Sequence, residues 1–217
     1  MKILITAGPT REPIDPVRFI SNRSSGKMGY ALARAFRSLN HEVLLISGPT
    51  HIEVPDWVDF IPVETAEEMY DAVAQMISRA DVAVFCAAVA DYTMKEIAPQ
   101  KIKKTEDSLT LTLQKTKDIL GSVRSVHGFT GYLVGFAAET ENLEQQAREK
   151  LKRKACDMII ANDVSQPGIG FDTAENEVMV VEALENTILP RDSKEHIAQH
   201  LAAMIVERAT HKHISDT

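Results

Sequence analysis

Apolar runs of strand length alternate along this chain with segments whose apolar residues recur every three or four positions. That is the pattern of a mainly parallel sheet covered by helices. KILITA at 2–7 predicts the first strand, and residues 25–39 predict a helix with Met28, Ala31, Leu32, Ala35 and Leu39 along one face. EVLLIS at 42–47, closed by Gly48-Pro49, and VDFIPV at 58–63 predict two further strands. Thr65 and Glu68 have the spacing of a capping box, opening a helix to about Ser78. The most apolar run, 81–90, predicts a central strand buried on both faces. Strict alternation at 108–115 predicts a half-exposed strand, and a short helix follows from Asp118 to about Val126. Strands at 132–138, 157–163 and 177–183 come next, with a helix over 141–155 that Thr140 can cap and a last helix over 194–209. Three prolines before Arg18 argue against regular structure there, and the tail beyond about Ala209 reads as frayed. No repeat or linker interrupts this order. The expectation is one domain over 1–217, an α/β, Rossmann-like three-layer sandwich with a mainly parallel central sheet and an inserted flap and strand excursion at about 92–116.

Composition narrows the partners without altering the fold. Across 217 residues the formal net charge is −7, which argues against non-specific nucleic-acid binding, so any anion must be held by local clusters of Lys and Arg. No run approaches the length of a membrane span, and the chain opens directly on a strand, so no membrane association and a cytoplasmic location are expected. Cys86, inside an apolar run, and Cys156, between a helix and a strand, read as buried free thiols. The seven histidines have no metal-ligand spacing, and His196, His200, His211 and His213 fall where surface positions are expected. The metal ligands, if any, are not identified by the sequence.

Candidate chemistry gathers at the ends of predicted strands, where open α/β sheets bind ligands. The run 81–90 stops at Asp91-Tyr92 and opens into a polar loop with Lys95, Lys101, Lys103 and Lys104, a candidate polyanion site that a solvated lysine-rich loop would equally resemble. After the first strand, the helix begins near Ser24-Ser25-Gly26-Lys27, with Gly26 and Gly29 three apart. A helix N-terminus there can meet a phosphate, whereas Gly29 can simply let the helix pack on the sheet. Neither the dinucleotide glycine fingerprint nor a Walker pattern is present. Asn22, between Arg18 and Arg23, can orient an acyl phosphate or form an Asx turn. Lys150 and Lys154, four apart on a helix, share a face that an anion or solvent must screen, and Asn162-Asp163 ends a strand.

Read together, GPTREPIDPVRFISNRSSGKMG, AAVADY, KIKK, GFAAET and ANDVSQPGIGF resemble phosphopantothenate–cysteine ligase (phosphopantothenoylcysteine synthetase), from Lys2 to about Val206. The resemblance is to the bacterial domain in a stand-alone form, because the flavin-dependent decarboxylase often fused ahead of it is not in this chain; no FMN is expected. It implies a ligase of coenzyme A biosynthesis that joins 4′-phosphopantothenate to L-cysteine through an acyl-cytidylate, converting CTP to CMP and pyrophosphate, with Mg2+ offsetting the triphosphate charge. A separate decarboxylase would act on the product.

By the same resemblance, Asn22 handles the acyl-cytidylate and Lys101 neutralises the triphosphate from a flap. Nucleotide contacts are implied for Phe85, Cys86, Ala87, Asp91, Lys117, Asp118, Ile119, Leu120, Phe136, Lys150 and Lys154. Ser24, Ser25 and Gly26 are implied for the substrate phosphate. The family's fused form has N-P-D-I where this chain has Thr116-Lys117-Asp118-Ile119, which bears on base choice between CTP and ATP. A homodimer through the 108–115 excursion is also implied. Two other classes fit the strand–loop–helix opening: an NAD(P)-dependent oxidoreductase, against which the second strand ends in LLISGP without an acidic residue, and a nucleotide-binding regulatory protein without turnover.

Overall fold

The structure is a computed structural model that describes residues 1–104, 107–139, 141–163 and 175–215. In chain order its elements are β1 (Lys2–Ala7), β2 (Arg11–Pro13), β3 (Phe19–Ser21), α1 (Lys27–Ser38), β4 (Glu42–Ser47), β5 (Asp59–Pro62) and α2 (Ala66–Met76). After a single 3₁₀ turn come β6 (Val82–Phe85), β7 (Tyr92–Met94), β8 (Leu113–Lys115), α3 (Ile119–Ser125), β9 (Tyr132–Glu139) and α4 (Leu143–Arg153). The chain continues through β10 (Met158–Asp163), β11 (Glu175–Val181), β12 (Asn186–Ser193) and α5 (Lys194–Ser215).

One sheet runs β5-β4-β1-β6-β9-β10-β11-β12. It is parallel from β5 to β10 and antiparallel through β11 and β12. Counting only the parallel strands, the order is that of a doubly wound Rossmann-like sheet, and it reverses between β1 and β6. Alternation along these strands sends side chains to both faces. Ile3, Ile5 and Ala7 of β1 and Val82 and Val84 of β6 bury against α1 and α5. Leu4, Ala83 and Phe85 bury against α2 and α3. The side chains of α4 pack on Ala137, Ile159 and Ala161 at the other end of that second face.

Several elements follow the residue pattern closely. Thr65 and Glu68 form the capping box at the start of α2, and Asp118 caps α3 by accepting from the Gly121 N–H at 3.0 Å. The last helix, by contrast, does not fray after Ala209 but continues to Ser215, its end tied down where the Lys212 ammonium meets the Asp157 carboxylate at 2.9 Å.

The other departures have local causes. The run 81–90 is a strand only to Phe85, so Cys86 lies beyond β6. Past that point the backbone leaves the ladder and is stitched to the loop after β1, with Ala88 N–H donating to Gly8 O at 2.9 Å and Ala90 N–H to the Thr10 hydroxyl at 2.9 Å. The proline-rich stretch holds a hairpin, β2 against β3. Pro13 sits on it as the last residue of a short edge strand, where a missing N–H is tolerated.

Of the alternating segment 108–115 only Leu113–Lys115 is strand; it pairs with β7, which alternation did not reveal. The helices expected over 25–39 and 141–155 are α1 and α4, and Leu39 is an exposed C-cap residue. The Asn142 side chain makes no cap bond to α4, and Thr140 lies outside the described residues, as do residues 164–171 of the ANDVSQPGIGF motif. The strand β12 has no counterpart among the sequence expectations.

Candidate functional site

Two adjoining cavities open at the carboxyl ends of the parallel strands, beside the reversal between β1 and β6. The first encloses about 500 Å³ and brings together Phe85, Ala87, Asp91, Lys117, Asp118, Ile119, Leu120, Phe136, Lys150 and Lys154. Residues far apart in sequence and singled out as one group thus share one wall. Thr6, Tyr92, Lys115, Thr116 and Arg153 line it too. Cations dominate: Lys115, Lys117, Lys150, Arg153 and Lys154 stand against two carboxylates, Asp91 and Asp118. Such a surface suits a ligand carrying several negative charges.

The cations are not equivalent. Lys150 donates its ammonium to the Phe136 carbonyl at 2.7 Å, and burial lowers its pKa from the ordinary lysine value, an effect Glu139 opposes. Lys154 pairs with the Asp118 carboxylate. That contact, after the opposing effect of burial, helps hold the Asp118 pKa below the ordinary carboxylate value. Lys117 turns its ammonium to Glu67 at 2.5 Å and lies over the Tyr70 ring at 4.6 Å from the centroid. It borders the cavity while its charge is engaged on α2.

The second cavity, about 480 Å³, shares Ala87, Val89, Phe136 and Lys150 with the first. Asn22, Arg23, Ser24, Ser25, Gly26 and Cys86 line it, as do Asn162, Asn176 and Lys194. Asn22 forms no Asx turn there: its side-chain amide donates to the carbonyls of Ala88 at 2.9 Å and Val89 at 3.1 Å, fixing it on the shared wall. The α1 helix begins at Lys27 after Gly26, whose φ of 78° is left-handed. Gly29, one turn further on, is where α1 touches the sheet, since a Cβ there would meet the Ala7 Cβ at 2.5 Å. The packing reading thus holds at Gly29, while Gly26 sets the entry of α1 beside the cavity. Burial pushes the Cys86 thiol up to about 12, against the pull of nearby Lys194. A thiol so shifted is protonated at neutral pH and is no nucleophile.

Two expected nucleotide contacts lie apart from the first cavity. Cys86 borders the second instead, because β6 ends one residue before it. Lys101 is exposed and lines neither cavity. Its loop is pinned at the neighbouring Ile102, whose N–H donates to Asp15 at 3.0 Å and whose carbonyl accepts from Arg18 at 3.0 Å. Among the described residues no group of three or more His, Cys, Asp or Glu could hold a metal ion, and no helix is long and apolar enough to cross a membrane.

Asn176 and Lys194 were not singled out from sequence, although both are 4% exposed and line the second cavity. Topology places them there. Because β11 runs antiparallel, it begins at the edge where the parallel strands end, and β12 returns to that edge, pairing Ser193 with Glu175.

The profile of the family described as DNA/pantothenate metabolism flavoprotein C-terminal domain matches residues 1–209. Among curated proteins, the coenzyme A biosynthesis bifunctional protein CoaBC of Vibrio vulnificus (strain CMCP6) is 48% identical over 94% of this chain and 51% of its own length. The CoaBC of Escherichia coli (strain K12) is 45% identical over 98% of this chain and 53% of its own length. This chain therefore spans about half the length of these relatives. A crystal structure of the C-terminal domain of a CoaBC protein superposes with a TM-score of 0.79 at 40% identity, covering 94% of this chain and 93% of that one.

Proposed function

The chain belongs to the family of DNA/pantothenate metabolism flavoprotein C-terminal domains, and from that premise we propose that it is a CTP-dependent phosphopantothenate–cysteine ligase. The observation that carries this reading is the pair of cavities with one common wall, bearing Lys150 and, on the backbone of Ala88 and Val89, Asn22. A ligase that activates an acid with a nucleotide must bring two anionic substrates together at one junction and exclude their exchange for water.

In the first half-reaction a carboxylate oxygen of 4′-phosphopantothenate attacks the α-phosphorus of CTP. The new P–O bond forms as the bond to pyrophosphate breaks, leaving an acyl-cytidylate. In the second, the amine of L-cysteine attacks the acyl carbon, the bond to CMP breaks, and the amine nitrogen gives up a proton. Neither step needs a nucleophile from the protein, in keeping with a neutral Cys86. What the chain supplies is position and charge. Lys150 and Lys154 face the triphosphate, Phe136 packs at the base, and Asp91 holds the nucleotide at the sheet edge. Asn22 orients the acyl-cytidylate, and Lys101 meets the triphosphate from its loop. Ser24, Ser25 and Gly26 take the phosphate of the acyl substrate.

Mg2+ fits as an ion carried by the triphosphate, since the first cavity offers Asp91 and a salt-bridged Asp118 but no carboxylate cage. Its chemistry there is charge neutralisation on the leaving pyrophosphate. Homodimer formation through the β7–β8 excursion belongs to the same proposal, with Leu109 and Leu113 exposed on it.

The test is pyrophosphate release with 4′-phosphopantothenate and cysteine, comparing CTP with ATP. Turnover with neither nucleotide would sink the reading, and stabilisation by NADPH but not CTP in a thermal-shift assay would replace it with a dehydrogenase-like one. Lys101→Gln is expected to nearly abolish pyrophosphate release. Asn22→Asp is expected to release pyrophosphate but to accumulate acyl-cytidylate, read by quenching and mass analysis. Full product formation by both variants would refute these two roles.

A further inference from the structure

The second cavity has a wall that the proposed function leaves without a task. Lys194, the first residue of α5, and Asn176, on β11, are both 96% buried, from 4% exposure each, and both border the cavity. Among its described lining residues are four cations, Arg23, Lys27, Lys150 and Lys194, and no carboxylate. A buried ammonium on the wall of a cavity is placed to meet an anionic group of a ligand. The N-terminus of α1 opens at the same place and adds its positive end. Asn176 supplies an independent sign: its side-chain oxygen is buried and has no hydrogen-bond partner. An acceptor buried without a donor costs about 1–3 kcal/mol, so this atom marks where a ligand donor belongs.

An anion and a hydroxyl close together answer both features. Resting on the ligase reading above, we propose that Lys194 and Asn176 recognise the phosphate end of the acyl substrate, Lys194 binding the phosphate monoester and Asn176 the secondary hydroxyl two carbons along from the phosphoester carbon. A hydroxyl both donates and accepts, so it satisfies the amide in either orientation. The remaining length of the substrate then runs past Ala87 and Val89 toward the shared wall, bringing its carboxylate to the nucleotide cavity. Lys194 and Asn176 are on this reading specificity determinants, telling phosphopantothenate from pantothenate and from any acid that lacks the hydroxyl. Such discrimination is strong in sites built around buried polar groups, which a wrong ligand leaves unpaired.

The experiment compares the wild type with Lys194→Met, Lys194→Arg and Asn176→Ala, using 4′-phosphopantothenate, unphosphorylated pantothenate and a phosphopantothenate analogue lacking the hydroxyl. Losing one hydrogen bond to a charged group corresponds to roughly a ten- to hundredfold change. Lys194→Met should raise the KM for phosphopantothenate by that factor, leave the KM for CTP unchanged and remove the preference for the phosphorylated substrate. Lys194→Arg should keep part of that preference. Asn176→Ala should treat the deoxy analogue and phosphopantothenate alike, whereas the wild type favours the latter. Calorimetric titration with phosphopantothenate alone repeats the comparison without turnover, and Lys194→Gln serves if Lys194→Met does not fold. Unchanged phosphate preference in a folded Lys194 variant, or identical responses of the wild type and Asn176→Ala to the deoxy analogue, would overturn the proposal. A wild type that binds phosphopantothenate through Lys194 but releases no pyrophosphate would leave this inference standing and refute the ligase reading instead; one that binds none refutes both.

Discussion

Replacing Gly29 by alanine asks the structure a single steric question. Gly29 lies in the first turn of α1, directly over the end of β1. The added methyl would stand 2.5 Å from the Ala7 Cβ and 3.3 Å from the Ala7 Cα. Carbon atoms rest at about 3.5–4.0 Å, so α1 must lift from the sheet by roughly 1 Å or more at its N-terminal end. Ala7 is fully buried and belongs to β1, which has neighbours on both sides, so the helix has to yield rather than the strand. Two effects oppose each other. Alanine in place of glycine inside a helix stabilises by about 1 kcal/mol. Overpacking a tight contact costs about 1–3 kcal/mol, and the rigid partner here puts the cost near the top of that range. The net expectation is a loss of about 1–2 kcal/mol, equivalent to about 2–8 °C in Tm for a chain of this size.

A second substitution separates crowding from everything else. Ala7→Gly removes the atom at 2.5 Å and leaves the Ala7 Cα, at 3.3 Å, as the nearest neighbour. The double variant Ala7→Gly/Gly29→Ala should therefore recover most of what Gly29→Ala alone loses, a non-additive result in a double-mutant cycle by thermal or urea unfolding. Because the same turn walls the second cavity, Gly29→Ala should also raise the KM for the acyl substrate more than that for the nucleotide. A Gly29→Ala protein as stable as the wild type, or strictly additive effects in the cycle, would refute the argument.

Lys150 and Asp15 yield further expectations. Lys150→Met should raise the nucleotide KM by roughly ten- to a hundredfold, the worth of one charged contact. Burial lowers the Lys150 pKa, so the ammonium is lost as pH rises at values below the ordinary lysine range of about 10.4; nucleotide KM should climb there in the wild type and stay flat in the variant. The Arg18 guanidinium holds the Asp15 carboxyl well below the usual carboxylate range, with the N–H groups of Ile102, Val17 and Arg18 assisting. A lowered carboxylate pKa adds stability that is complete above the unfolded value of about 3.9 and drains away as pH falls below it. Asp15→Asn should therefore lower the Tm at neutral pH, and the gap to the wild type should narrow on acidification. A gap constant from pH 7 to about pH 2 would count against the clamp.

Much of the fold was legible because its parts are local. The alternation of Ile3, Leu4 and Ile5, the Thr65–Glu68 box and the Asp118 cap are each decided within one turn or one strand. Much of the wall of the first cavity was legible too, because the family resemblance nominated as one group residues that the fold brings together there. The hairpin at Arg11–Pro13 and Phe19–Ser21 was not: its Glu12 side chain is anchored far away, accepting from the Ala66 N–H at the start of α2. Nor does NTILPRDS of β12 alternate as a strand should, because it is an outer strand, largely exposed and held by its ladder to β11.

That missed strand also hid part of the site. With β12 absent, a sequence reading carries the chain from a strand at 177–183 to a helix at 194 without fixing at which edge of the sheet either begins. Once β11 and β12 are seen to be antiparallel, the start of β11 and the start of α5 must both lie where β1 and β6 end. Asn176 and Lys194 then face the cavity walled by Asn22 and the first turn of α1, some 150 residues earlier in the chain. Lys117 shows the opposite limit. Its place beside Asp118 was readable, yet whether its charge serves the cavity depends on Glu67 and Tyr70 of α2, which claim it. Spacing can thus nominate a cation for a ligand; only the carboxylates and rings that tertiary structure brings to it decide whether the charge is available.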